Sequence, residues 1–152
     1  MNKFVLEQVS PDSNIALELT NKLLIELEAI YPKSVLENFI EENSSLDIFI
    51  IAYSENDEAV ATGALKHFNT GVIEVKHMFV LKEFRGNGIS KQILSELERI
   101  AKELNYKRII LETGTKQPEA ISLYRKYGYK EIEYYGRHAI DPTSVCFEKN
   151  FQ

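Results

Sequence analysis

Arg85-Gly86-Asn87-Gly88-Ile89-Ser90 is the segment whose residue types and spacing most directly suggest chemistry. Glycine lets a backbone turn tightly and brings its N–H groups against a ligand with no Cβ between them. Where a helix follows, those amides and the positive end of the helix dipole suit a phosphate group. Arg85 adds a cation. The plainer reading is a glycine turn that simply starts a helix. Two other phosphate loops are excluded by the spacing. A Walker loop needs G-x-x-x-x-G-K-[ST], which the chain lacks. A dinucleotide fingerprint needs glycine or alanine three positions after Gly88, where Lys91 stands. What remains is a diphosphate loop in a small mixed sheet.

The elements that must position this loop follow from periodicity. Residues 72–81 predict a strand entering it, and Ile89, Ile93, Leu94, Leu97, Ile100, Ala101 and Leu104 mark an amphipathic helix leaving it. Upstream, residues 3–9 read as a strand. Ile15, Leu19, Leu23, Leu27 and Ile30 then fall at helical spacing behind an Asp12 or Ser13 cap, with Pro32 closing the helix. A short helix over 34–40 follows. Residues 47–53, 59–68 and 72–81 predict an antiparallel meander, with Asn69-Thr70-Gly71 as a tight turn. Downstream come a strand over 107–112, a helix over 118–127 opened by Pro118, and strands over 129–135 and 145–149. The order β-α-α-β-β-β-α-β-α-β-β describes one α/β domain over residues 1–152, a mixed, mostly antiparallel central sheet flanked by helices.

On these residues the chain resembles the GCN5-related N-acetyltransferase (GNAT) family. The family's coenzyme A loop, [QR]-x-x-G-x-[GA], is read here from Arg85 to Ser90; Ser90 departs from the last position but stays small. The lead-in Met78-Phe79-Val80-Leu81-Lys82-Glu83-Phe84 is similar to the strand before that loop. Ala120-Ile121-Ser122-Leu123-Tyr124-Arg125-Lys126-Tyr127-Gly128-Tyr129 is similar to the second signature, A-x-x-L-Y-x-K-x-G-[FY], and Gln117 stands where the family often has Asn. The ending over residues 141–149 resembles a bacterial subgroup whose substrates are mostly unassigned. The resemblance implies a GNAT-like fold, acetyl-CoA as cosubstrate and no metal. It also implies cofactor contacts at Met78, Phe79, Val80, Arg85, Gly86, Asn87, Gly88, Ile89, Ser90 and Gln117. A small-molecule amine would be the acceptor, and a homodimer a reasonable assembly.

Aminolysis of a thioester needs a neutral amine, stabilisation of the tetrahedral oxyanion and a proton for the departing thiolate. No protein nucleophile is required. Cys146 has no histidine beside it in sequence and reads as a packing residue. Glu74 is the candidate base; on a regular strand it shares a face with Lys76, Met78 and Val80, while His77 points the other way unless a bulge re-aims it. An ordinary solvent-facing glutamate is the competing reading. The resemblance places Glu74 where several members hold a base carboxylate, whereas others work through a water, so Glu74, His77 and water all stay open. The resemblance also carries a catalytic tyrosine onto Tyr124 as general acid, against the reading of a core tyrosine among Ala120, Leu123 and Tyr127. His67, His77 and His138 show no metal-ligand spacing. Arg125-Lys126 reads as a solvated helix face, and Arg137 and His138 as candidates for the acceptor mouth.

The function these residues imply is an acetyl-CoA-dependent N-acetyltransferase acting on a primary amine of a small molecule, amino acid or peptide. The alternative is a non-catalytic or regulatory coenzyme A-binding module, which would more readily lose Glu74 and Tyr124. Composition fits either. A chain of 152 residues, 44% hydrophobic and 27% charged, can bury one core. A net charge of −5 argues against a nucleic-acid partner. The single cysteine, an N-terminus unlike a signal peptide and the lack of any apolar run near 20 residues lead to the expectation of a cytoplasmic protein with no membrane partner.

Overall fold

The computed structural model describes residues 3–136 and 141–151. Strand β1 (Val5–Val9) leads into helix α1 (Asn14–Glu28), which Ser13 caps by accepting the Ala16 N–H on its side-chain oxygen at 3.3 Å. Ala16, Leu19, Leu23 and Leu27 form the buried stripe of α1. The helix ends at Glu28, ahead of Pro32, which serves as the N-cap of α2 (Lys33–Phe39). A 3-10 turn at Asn43–Ser45 then delivers the chain to β2 (Ile48–Tyr53), β3 (Ala59–Asn69) and β4 (Val72–Val80). Helix α3 (Ile89–Glu103), β5 (Arg108–Gly114), α4 (Pro118–Lys126), β6 (Lys130–Ile132) and β7 (Ser144–Asn150) complete the order.

All strands join one sheet in the order β1-β2-β3-β4-β5-β7-β6, antiparallel throughout except for β4 beside β5. Helices α3 and α4 pack on one face through Ile89, Ile93, Leu97, Ile100 and Tyr124, over Ile73, Val75, Ile109, Leu111 and Phe147. Helices α1 and α2 cover the other face in two smaller clusters, one around Leu23, Leu27, Tyr31, Phe39 and Phe79, the other around Leu19, Phe49 and Ile51.

Two departures from regularity create the site. Strands β4 and β5 pair only from Val72↔Arg108 to Val75↔Leu111, so residues 76–80 have no ladder partner on β5. The meander is also bulged: Thr62 pairs with Phe79 but Ala64 with Lys76, leaving His77 and Met78 opposite Gly63. His77 absorbs the extra residue at φ 54°, and its carbonyl accepts the Thr62 hydroxyl at 2.7 Å. The bulge overturns the expected alternation. Met78 joins the α3 side with Val80, while His77 lies beside Phe49 and Thr20 on the α1 side, with Glu74 and Lys76.

The strand expected over 129–135 shortens to Lys130–Ile132, because β6 is an outer edge that pairs with β7 only as far as Ile132↔Cys146. Tyr134 and Tyr135 leave the ladder, and Tyr135 turns back over the sheet.

Candidate active site

At the head of α3, Gly86 and Gly88 adopt φ 85° and 76°, the left-handed region that glycine enters without penalty. A Cβ at either position would meet nothing within 4 Å, so packing does not explain these glycines; backbone conformation does. No side chain caps α3, whose first residues are Ile89 and Ser90. Its opening amides are those an anion can use. Asn87 steadies the turn by donating its side-chain amide to the Phe84 carbonyl at 2.9 Å. Arg85 does not project freely over the loop. Its Nε donates to the Val80 carbonyl at 2.9 Å, and its Nη2 pairs with Glu26 on α1 at 2.5 Å.

Beyond the loop lies the opening between β4 and β5. The Leu81 N–H donates to Val60, so by strand alternation the Phe79 backbone faces β3, whereas Met78 and Val80 turn their backbone groups toward the opening. Arg85 already holds the Val80 carbonyl, which leaves the Val80 N–H and the Met78 groups on that side. The Phe79 ring sits in the α1–α2 cluster. Gly63 is glycine for a packing reason: a Cβ there would overlap Ile93 and come within 2.9 Å of Met78 Sδ. On the β5 side, the Tyr31 hydroxyl accepts the Lys116 N–H at 3.2 Å and donates to Gln117 Oε1 at 3.3 Å, joining the end of α1 to the start of α4.

Glu74 is not a solvent-facing residue; its side chain is 10% exposed. Its Oε2 accepts the Tyr135 hydroxyl at 2.6 Å and lies 3.7 Å from Lys76 Nζ. Lys76 stands 3.8 Å from Glu41 Oε1, and Glu41 Oε2 pairs with Lys66 at 3.0 Å. His77 is engaged at both ring nitrogens, Nε2 accepting the Glu41 N–H at 3.0 Å and Nδ1 facing the Thr20 hydroxyl at 3.5 Å. Burial, with Lys76 nearby, pushes its pKa down to about 4. A ring with both nitrogens already facing hydrogen-bond partners is poorly placed to take a proton from an amine. The Cys146 thiol is pushed up to about 11, chiefly by burial, which disfavours a thiolate nucleophile.

Tyr124 is buried in the α3–α4 core, its ring centroid 5.7 Å from Tyr129 and 5.9 Å from Phe147. Burial raises its phenol pKa well above the ordinary value. Among the described residues no partner hydrogen-bonds its hydroxyl. Arg125 pairs with Glu131 at the surface. Among the described residues no group of three or more His, Cys, Asp or Glu side chains could hold a metal. No helix of the described residues is long and apolar enough to cross a membrane. Arg137 and His138 lie outside the described residues. Sequence reasoning missed Tyr31, Glu41 and Tyr135. Only Tyr31 left a trace, in the glycine that ends β5: a Cβ on Gly114 would overlap the Tyr31 hydroxyl.

Known proteins share this architecture over its full length. An IAA acetyltransferase from Azospirillum brasilense is 29% identical over 98% of this chain and 99% of its own. A Klebsiella pneumoniae structure, provisionally assigned as an acyl-CoA N-acyltransferase, superposes with a TM-score of 0.83 at 25% identity, covering 98% of each chain. A GNAT family acetyltransferase from Elizabethkingia anophelis, solved with acetyl-CoA bound, gives a TM-score of 0.72 at 18% identity over 97% of this chain and 98% of its own. Residues 16–129 match the profile of the acetyltransferase (GNAT) family. With the glycine loop, the opened strand pair and the bulged β4 in their order, the chain belongs to the acetyltransferase (GNAT) family of acyltransferases.

Proposed function

We propose that the protein transfers the acetyl group of acetyl-CoA to a primary amine of a small molecule, amino acid or peptide. One observation carries this reading: the ladder between β4 and β5 opens after Val75, between an uncapped α3 with its glycine turn and the buried carboxylate of Glu74. The donor set fits the cosubstrate. Gly86, Asn87, Gly88, Ile89 and Ser90 would offer backbone amides to its pyrophosphate, and Met78 and Val80 would pair with its pantetheine arm as an added strand does. Phe79 would contribute by holding this stretch against β3, and Gln117 by ordering the start of α4. Arg85 would reach a phosphate only by exchanging its Glu26 partner.

Bound acetyl-CoA would supply the activated thioester carbonyl. Glu74 would take the proton of the incoming ammonium group, directly or through a water. Tyr124 would donate a hydrogen bond to the sulfur as negative charge develops there, and the second proton of the amine would pass through solvent to the released thiolate. Its raised pKa keeps the phenol protonated and makes it a hydrogen-bond donor more than an acid.

The test is coenzyme A release from acetyl-CoA across polyamines, amino acids, aminoglycosides and peptide N-termini. Release that depends on an amine, with the acetylated amine found by mass spectrometry, supports transfer. Tight coenzyme A binding with no amine-dependent release from any of these classes would instead favour a binding module.

A further inference from the structure

Glu74 lies on the sheet face that α1 and α2 cover, and most of its surroundings are accounted for by strand neighbours. Lys66 stands opposite it on β3, and Ile110 beside it on β5. One partner is different. Tyr135 comes from the connection after β6, far away in sequence, and donates to Glu74 Oε2 at 2.6 Å. Lys76, at 3.7 Å from the same oxygen, is too distant for a hydrogen bond and acts only as a counter-charge. Among the described residues, Tyr135 therefore makes the one hydrogen bond to this carboxylate.

The Tyr135 ring is itself fixed. It packs edge-on against Phe68 at 5.3 Å and 88°. Burial and the Glu74 charge push its phenol well above the ordinary value, so it remains a donor throughout the neutral range. An O–H donated to a carboxylate in a buried site is among the stronger hydrogen bonds a protein makes. It also removes the torsional freedom that a glutamate otherwise keeps.

We infer that Tyr135 is a positioning residue for acetyl transfer: its hydroxyl fixes Glu74 Oε2 and so leaves Oε1 as the oxygen that takes the amine proton. The inference rests on Glu74 being the base. Tyr135 touches neither substrate nor cosubstrate in this scheme; it acts through Glu74. A purely structural role, stapling the β6–β7 connection to the sheet, would appear in stability and not in turnover.

The experiment is a double-mutant cycle on Tyr135→Phe and Glu74→Gln, with acetyl-CoA and the fastest amine of the panel above. The readouts are kcat, KM for acetyl-CoA and melting temperature. Misplacing a reacting group commonly costs one to two orders of magnitude, so Tyr135→Phe should lower kcat by roughly 10- to 100-fold with KM for acetyl-CoA little changed. Loss of a buried bond to a carboxylate should also lower the melting temperature by a few degrees, which alone would not touch turnover. In the Glu74→Gln background the same change should cost nothing further. Equal losses in both backgrounds, or unchanged kcat in the single variant, overturn the inference while leaving Glu74 as base. Full turnover in Glu74→Gln alone removes the base assignment itself, and this inference with it. Should Tyr135→Phe fail to fold, Tyr135→Met removes the same hydroxyl with an adaptable filler, and the cycle is read on that variant.

Discussion

His77 Nε2 accepts the backbone N–H of Glu41 at 3.0 Å, tying a bulge in β4 to the segment that follows α2. The bond requires an unprotonated Nε2, which puts the ring proton on Nδ1, toward Thr20. Burial holds the folded-state pKa at about 4 against 6.5 for a free histidine. Between those values the unfolded chain binds more protons than the folded one, so stability falls as pH is lowered through this window and recovers as it is raised. The full cost, reached below both values, is on the order of 3 kcal/mol. Chemical denaturation of the wild type should show this decline. In His77→Asn, where asparagine tolerates the positive φ, the protein should be less stable at neutral pH and lose much of the pH dependence. An equally steep decline in the variant would assign the titration to another group.

The bulge shows why the architecture was legible in sequence and this part of the site was not. The glycine pair, the Ile89-to-Ala101 stripe and the Ala120-to-Tyr129 signature are local patterns, and each became the element they implied. A bulge is a relation between strands. Nothing in residues 72–81 announces that Gly63 will face both His77 and Met78, because the register is set across β3. Read as a regular strand, Glu74 and Met78 share a face; with the extra residue they part. Tyr135 was hidden for the same reason. Its partner Glu74 lies in another element, and a tyrosine beyond the end of an edge strand carries no periodic signal.

Gly88 separates backbone strain from ligand approach. Its φ of 76° disfavours any residue with a Cβ, at a cost of about 1–2 kcal/mol, although the space around it is open. Gly88→Ala should therefore fold with a modestly lower melting temperature and bind coenzyme A more weakly in calorimetry. Gly88→Val should bind more weakly still, since a larger side chain projects into the space proposed for the pyrophosphate. Unaltered coenzyme A affinity in a folded Gly88→Val protein would make the loop a structural turn only.

Gly114 and Tyr31 give the opposite case, a glycine demanded by packing. A Cβ at 114 would overlap the Tyr31 hydroxyl and lie 2.6 Å from its ring carbon Cζ. The ring cannot move away without breaking its bonds to the Lys116 N–H and Gln117. Gly114→Ala should cost about 1–3 kcal/mol, the usual range for overpacking, and should loosen the join between α1 and α4. Tyr31→Ala clears that space, so Gly114→Ala should cost much less in its background. Denaturant titrations of the four proteins measure the coupling, and strictly additive losses would mean that the two residues do not meet in solution.

Tyr124 carries the sharpest test of the proposed chemistry, because core packing and hydrogen bonding to sulfur demand different atoms of the same side chain. Packing uses the ring, which lies against Tyr129 and Phe147 and is retained in Tyr124→Phe. Hydrogen bonding to the departing sulfur uses the hydroxyl, for which no protein partner competes among the described residues. Removing a hydroxyl without a protein partner should cost little stability, and melting temperature should stay near that of the wild type. Coenzyme A affinity should also hold, since the pyrophosphate and pantetheine contacts lie elsewhere. Turnover should fall on the order of 10²-fold, the scale of one positioned hydrogen-bond donor to developing negative charge. The loss should appear in kcat and kcat/KM alike, because an interaction made only as the carbon–sulfur bond breaks contributes nothing to ground-state binding. Near-wild-type turnover in the Phe variant, with the chemical step rate-limiting, would return Tyr124 to the core and leave the thiolate to depart without help from this side chain.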